Sequence, residues 1–301
     1  MKRRVPPSVM AQDQGDDWVL YNGDAAEVLP MLPAASIDFA CYSPPFSSTY
    51  TYSPSDRDLG NVRSDAEFFE QASFITREVL RLMRPGRIVA THVANLPLYE
   101  TKDGVSGRRD FRGAWIAHMV EHGFVYHSEI TIGKNPQAAA IRTHSKGLMF
   151  VQLKRDRSWM WQAYADYLCI FRTPGRNEVP VTTDEVTEED WIRWARPVWD
   201  DIRETDVLST HQARDNDDER HLCPLQLPVI ERAVRLWSNR GDTVLSPFAG
   251  IGSEGVGALR HGRRFVGVEL KPSYFKVAAQ NLRDAAAARA ARLFDEGGGH
   301  G

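Results

Sequence analysis

"DTVLSPFAGIGSEGVGALRHGRRFVGVEL", residues 242–270, decides how this chain is read. An apolar run, Thr243–Leu245, meets a proline and a cluster of glycines. A helix-like stretch follows, then a second apolar run, Phe265–Val268. The pattern is strand, glycine turn, helix, strand. Gly250, Gly252 and Gly255 satisfy G-x-G-x-x-G, and Glu269 stands 19 residues after Gly250, at the end of the second strand. Glycines at such a turn let backbone amides approach a ligand, and a carboxylate at that strand end accepts hydrogen bonds from ribose hydroxyls. Taken alone, the pattern is ambiguous between a dinucleotide and any adenosine-bearing cofactor. In a dinucleotide fold the glycine turn follows its strand at once and usually opens the domain. Here "SPF" intervenes and only 46 residues follow Gly255, which counts against a nicotinamide enzyme.

A second stretch, "CYSPPFSSTY" at residues 41–50, follows the buried-strand pattern "SIDFA". Proline removes a ladder donor and pushes the residue before it into extended backbone. The strand therefore ends in a stiff elbow that presents carbonyls, the Ser43 hydroxyl and the Phe46 ring at its tip.

Seven strand-like runs span the chain: "WVLYNGD", "IDFACYS", "RIVATHVA", "FVYHSEITIG", "DYLCIFRT", "DTVLSP" and "RFVGVEL". Several are continuously apolar, as strands covered on both faces are. Helices fall between them. Ser64 and Glu67 form a capping box ahead of a helix whose Phe68, Ala72, Ile75, Val79 and Leu82 share one face. Further helices are expected at "FRGAWIAHMVEHG", "PLQLPVIERAVRLWSN", "GSEGVGALRHG" and "KPSYFKVAAQNLRDAAAARAAR". The expected fold is α/β: a Rossmann-like, seven-stranded, mostly parallel sheet with helices on both faces and a small target-recognition insertion. Residues 1–17 read as a flexible lead-in, 18–133 as one half of the domain and 216–284 as the glycine-turn half. Residues 134–215 read as the specialised region, its run at 166–173 open to membership of the sheet, and 285–301 as a helical to disordered tail.

With 42% hydrophobic and 26% charged residues and a net charge of −3, the composition is that of a globular protein. No apolar run reaches the ~18–20 residues of a membrane span. The N-terminus has no apolar core of a secretory signal, and a cytoplasmic location is expected. Cys41, Cys169 and Cys223 are widely separated and form no paired spacing, which argues against a disulfide or zinc framework. His211 and His221 are not at metal-ligand spacing, so no metal is expected. Between Thr131 and Arg176 eight basic residues face two acids, a local balance of +6, whereas Asp184 to Asp206 holds nine acids against three arginines. A basic segment in an acidic chain suits a phosphate-facing surface.

Together, Ser43-Pro44-Pro45-Phe46 and the later "SPFAGIGS" (246–253) resemble the amino-directed DNA methyltransferases. Within these the likeness is to the permuted group, in which the catalytic motif precedes the cofactor motif. The resemblance covers about residues 18–100 and 197–282. It implies S-adenosylmethionine as cofactor, bound by Asp24, Ser246, Phe248, Ala249, Gly250, Gly252, Ser253 and Glu269. It also implies methyl transfer to the exocyclic amino group of a base swung out of duplex DNA. An exocyclic amine is a poor nucleophile because its lone pair is delocalised into the ring. Acceptors fixed by the elbow would favour a pyramidal nitrogen aimed at the methyl, and Phe46 would stack on the base. Ser246 stands where the family usually has aspartate. Ser43, in place of aspartate, resembles the cytosine-N4 enzymes more than the adenine-N6 ones, so cytosine is preferred and adenine kept as the alternative. Carbon-5 methylation needs a Pro-Cys pair, but Cys223 precedes Pro224.

Lys134, Gln137, Arg142, Lys146, Lys154 and Arg155 are candidates for DNA contact. Trp191, Trp194 and Trp199, near helical intervals, read as core packing. Double-stranded DNA is the expected partner, in a bacterial or phage-infected cell; a homodimer and a cognate restriction enzyme are left open. A nicotinamide oxidoreductase and a catalytically silent DNA-binding protein are the competing readings.

Overall fold

Strand β3 (Ile37–Tyr42) is buried at all six positions, which requires layers on both sides of it. A computed structural model supplies them. It describes residues 9–46, 59, 62, 64–137, 150–159, 164–182, 185–209 and 224–297. The remaining strands are β1 (Val9–Gln14), β2 (Trp18–Gly23), β4 (Met83–Ala94), β5 (Leu96–Leu98), β6 (Gly107–Arg109), β7 (Val125–Ile132), β8 (Asp166–Arg172), β9 (Val198–Trp199), β10 (Thr243–Ser246) and β11 (Arg264–Glu269). One nine-stranded sheet has the order β1-β2-β11-β10-β3-β4-β8-β7-β9, and β5 with β6 makes a separate ribbon. From β2 to β4 neighbouring strands are parallel; β1 and β8 run against them.

The five longer helices are α1 (Asp65–Leu82), α2 (Phe111–Glu121), α3 (Leu227–Trp237), α4 (Ser253–Arg260) and α5 (Pro272–Gly297). Ser64 caps α1 as its sequence requires, its Oγ accepting the Glu67 N–H at 3.2 Å. Phe68, Ala72, Ile75, Val79 and Leu82 of α1 join Phe111, Trp115 and Met119 of α2 in one apolar cluster. Val229, Ile230, Ala233 and Val234 of α3, with residues of α4 and α5, belong to the other. The apolar stripes of these helices thus cover both faces of the sheet.

All seven expected strands are present, but the sheet has nine. Of the two extra strands, β1 lies in the stretch expected to be a flexible lead-in. As an edge strand only its first residue is fully buried, so its sequence, "VMAQDQ", carries little apolar signal. β9 is two residues long, too short for any periodicity. Within the region read as specialised, the run at 166–173, left open to membership of the sheet, is β8. It lies inside the sheet, between β4 and β7. Trp194 and Trp199 are buried in the core as expected, and the Trp199 indole donates to the Trp194 carbonyl at 3.0 Å. Trp191 is instead 58% exposed. The tail stays helical to Gly297.

At the amino ends of the strands, away from the loops described below, the Arg87 guanidinium donates to Asp38 at 2.9 Å and to Asp242 at 2.8 Å. Arg87 and Asp38 are both buried, and Asp38 also accepts the Thr243 N–H, so this cluster fixes β4, β3 and β10 together. Removing one member of a buried pair strands the other charge. Arg87→Ala is expected to cost about 3 kcal/mol or more in urea unfolding; a loss below about 1 kcal/mol, the range of exposed pairs, would contradict this role.

Candidate active site

The strand order reverses between β10 and β3: the chain leaves β10 towards β11 on one side, and β3 towards β4 on the other. Open α/β sheets bind ligands at the carboxyl ends of strands at such a point. The loops there are Asp24 after β2, Glu269 at the end of β11, Pro247–Gly252 after β10, and Ser43–Phe46 after β3. Both informative motifs of the sequence therefore arrive at one sheet edge, side by side.

The glycine loop is braced on several sides. The Ala249 N–H donates to the Val268 carbonyl at 2.8 Å, the Gly252 N–H to the Ala249 carbonyl at 2.7 Å, and the Asn281 side chain to the Ile251 carbonyl at 2.8 Å. Glu269 accepts the Gly250 N–H at 2.7 Å on one carboxylate oxygen and the Lys271 N–H at 2.8 Å on the other. The Asn22 side chain donates to the carbonyls of Glu269 and Leu270 at 2.8 and 3.0 Å, tying the ends of β2 and β11. Asp24, just beyond, caps a short helix through the Ala26 N–H at 2.9 Å. The two glycines answer to different demands. Gly252, at φ +87°, faces α5, where an added Cβ would lie 3.3 Å from Ala278. Gly250, at φ +53°, would place a Cβ within 4 Å of no other atom among the described residues, so it opens onto unfilled space.

Two buried polar groups flank this loop in sequence. Ser246 is fully buried and its Oγ makes no hydrogen bond among the described residues. Glu254, in the first turn of α4, is also buried. Burial, with the nearby Glu269 carboxylate adding to it and the backbone amide of Glu254 only partly opposing it, pushes the Glu254 carboxyl up to about 8. The Cys41 thiol is pushed up in turn, by burial first and by Glu254 second.

On the other side of the reversal, Pro44 is buried while Ser43, Pro45 and Phe46 are half-buried. The Phe46 ring meets Phe111 edge-on at 5.9 Å between centroids and His92 at 6.3 Å. Tyr42 and Phe248 meet at 5.9 Å, so the elbow strand touches the glycine loop. The Ser43 Oγ lies 3.1 Å from Nδ1 of His92. Nε2 of His92 lies 2.9 Å from Asp166, and the Lys134 ammonium reaches the same carboxylate oxygen at 2.5 Å.

Residues 37–280 match a family of N6- and N4-directed DNA methylases. The chain belongs to that family. It is similar to the type II methyltransferase M.BglI of Bacillus subtilis, at 34% identity over 118 residues, 39% of this chain and only 30% of that protein. Type II methyltransferase M.Cfr9I of Citrobacter freundii is 24% identical over 298 residues, 88% of this chain and 87% of that one. The structure of TTHA0409 from Thermus thermophilus, complexed with S-adenosyl-L-methionine, superposes with a TM-score of 0.67 at 26% identity, over 89% of this chain and 93% of that chain. The fold of the family is the mixed, mostly parallel sheet described above.

The candidate DNA contacts fare unevenly. Lys134, expected on a DNA-facing surface, turns inward: its side chain is 5% exposed because Asp166 holds its ammonium. Gln137, Lys154 and Arg155 are exposed. Arg142, Lys146, Cys223, His211 and His221 lie outside the described residues. His92, Asp166 and Glu254 were not singled out from the sequence. Each is a polar residue at or near the carboxyl edge inside an otherwise apolar run, and that is the signal by which they were findable.

A carboxyl with a raised pKa holds a proton that the unfolded chain has released. Stability should therefore fall as pH rises from the ordinary value of 4.5 towards about 8, and level off above it. The slope contributed is up to about 1.4 kcal/mol per pH unit. Glu254→Gln should flatten the profile when urea unfolding is followed between pH 5 and 8.5; an unchanged slope would contradict the assignment.

Proposed function

We propose that this chain is an S-adenosylmethionine-dependent DNA methyltransferase acting on an exocyclic amino group, with cytosine N4 as its target. The observation that carries the reading is the adjacency of the glycine loop and the Ser43–Phe46 elbow across the β10–β3 reversal. Family membership gives the reaction class.

The residues at the glycine loop fit the cofactor. Gly250 leaves room above the loop. Glu269 is held by the Gly250 N–H on one carboxylate oxygen and the Lys271 N–H on the other, a fixed carboxylate suited to ribose hydroxyls, and Asp24 lies at the adjoining strand end. Phe248, Ala249, Gly252 and Ser253 would complete the wall, with Ser246 at the strand end before the loop. The cofactor would supply a methyl group on a positively charged sulfur, electrophilic without help from a metal. The chain's own residues then have three tasks. They bind adenosine at Glu269 and the glycine turn. They hold the target amino group against the Ser43 hydroxyl and the Pro44 carbonyl, acceptors for its N–H bonds. They also exclude water, with Phe46 offering a face to the base. Gln137, Lys154 and Arg155, with Arg142 and Lys146, are the candidates for phosphate and base-edge contacts.

Cytosine is preferred because Ser43 is a neutral acceptor where adenine-N6 enzymes commonly have a carboxylate. The test is mass spectrometry of nucleosides from unmethylated DNA incubated with the protein and S-adenosylmethionine. N4-methylcytosine is expected. N6-methyladenine would keep the chemistry and overturn the choice of base, and no methylated base across varied DNA would overturn the reading. In parallel, Glu269→Ala is expected to weaken cofactor binding at least tenfold, read by calorimetry; unchanged affinity would remove Glu269 from the cofactor site.

A further inference from the structure

Four polar side chains from four adjacent strands form a continuous line behind the elbow. Ser43 is the first residue past β3, whose Tyr42 pairs with Thr91 of β4, so Ser43 comes alongside His92. Asp166 opens β8, paired with Ala94 at the end of β4 on one side and with Ile132 at the end of β7 on the other. Lys134 lies two residues beyond β7. The distances along the line are 3.1 Å from Ser43 Oγ to His92 Nδ1, 2.9 Å from His92 Nε2 to Asp166, and 2.5 Å from Asp166 to Lys134 Nζ. The side chains of His92, Asp166 and Lys134 are 10%, 13% and 5% exposed, so water competes little for these contacts.

One tautomer of His92 matches all of these contacts. Burial disfavours the Asp166 carboxylate, yet His92 and Lys134 outweigh it and hold the carboxyl down at about 2, so it is ionised and only accepts. A neutral His92 ring must then carry its hydrogen on Nε2 and donate it to Asp166, which leaves Nδ1 as an acceptor. In that tautomer the Ser43 hydroxyl donates to Nδ1 and keeps its lone pairs for a ligand at the elbow. A freely rotating serine would offer a substrate either a donor or an acceptor; this one offers an acceptor.

We propose that His92, oriented by Asp166 and Lys134, is a positioning residue that makes the Ser43 hydroxyl an acceptor for the amino N–H of the target base and receives the proton that this nitrogen sheds. The proposal rests on the methyltransferase reading above. The amino nitrogen forms the new N–C bond while the methyl leaves sulfur, whose bonding electron pair stays behind, and the nitrogen becomes positively charged. Its proton passes to the Ser43 oxygen as the Ser43 proton passes to Nδ1 of His92. The imidazolium so formed is paired with Asp166, and water takes the proton after product release. A serine elbow is thereby given a carboxylate's accepting power at one remove, without a negative charge against the base.

The test is a double-mutant cycle on the full-length chain, read as the single-turnover rate of methyl transfer from radiolabelled S-adenosylmethionine to DNA, with cofactor affinity measured in parallel. His92→Asn is expected to slow transfer about 100-fold. Cofactor affinity should stay within twofold, and Ser43→Ala combined with His92→Asn should be no slower than Ser43→Ala alone. Losses that multiply in the double variant, or a His92→Asn rate equal to wild type, would overturn the proposal. Should His92→Asn fail to fold, Asp166→Asn with Lys134→Met removes both charges together and is held to the same rate loss and the same absence of a further effect in the Ser43→Ala background. A wild-type protein that methylates no base would bring down the reading beneath it as well. A wild type that methylates while the losses multiply would bring down this proposal alone.

Discussion

Two backbone pairings, Val244 with Phe39 and Leu245 with Ala40, carry the arrangement of this molecule. They join strands separated by some 200 residues of sequence, and they set the glycine loop beside the proline elbow in parallel register. Loop closure over so long a span is costly. The return is a pair of strands buried on both faces, with Phe39, Ala40, Val244 and Leu245 all inaccessible to water. A slip of one residue would exchange every side chain between the two apolar clusters. Register is therefore held by the same burial that builds the core, and the site inherits its precision from the sheet.

Polar groups are buried in this fold at two levels, with different logic. At the amino ends of the strands, Arg87 pairs with Asp38 and Asp242 and holds three strands in place. At the carboxyl edge, the groups are arranged to face something else. Ser246 has no partner for its hydroxyl among the described residues, the Glu254 carboxyl is pushed up to about 8, and the Ser43 hydroxyl lies 3.1 Å from Nδ1 of His92. Concentrating unsatisfied or strained electrostatics at one edge destabilises the chain locally and leaves groups poised for a ligand.

Much of this was legible in the sequence. Apolar runs placed the seven main strands, because strands covered on both faces must be apolar throughout. Ser64 with Glu67 placed the start of the helix after the elbow. The two motifs pointed to the candidate site because their chemistry is local: glycine where the backbone must turn and open, proline where a strand must stop. What was hidden depended on pairing. The strand Val9–Gln14 has a polar sequence, and only its partner makes it a strand. Lys134 reads as a surface cation until β7 and β8 bring it to Asp166. His92 sits in "ATHVAN" as one polar residue in a strand, and nothing in one dimension says that Ser43 stands beside it. Arg142 and Lys146, the remaining basic candidates, lie outside the described residues.

The central claim is that cofactor and target group meet across the β10–β3 reversal. Its most direct test is a crystal structure of the protein with S-adenosylhomocysteine, the product left after methyl transfer. The account predicts the ribose hydroxyls on Glu269, the adenosine over Gly250, and the sulfur facing Ser43 and Pro44. A ligand bound elsewhere on the molecule, or seated at the glycine loop with its sulfur turned away from the elbow, would contradict it.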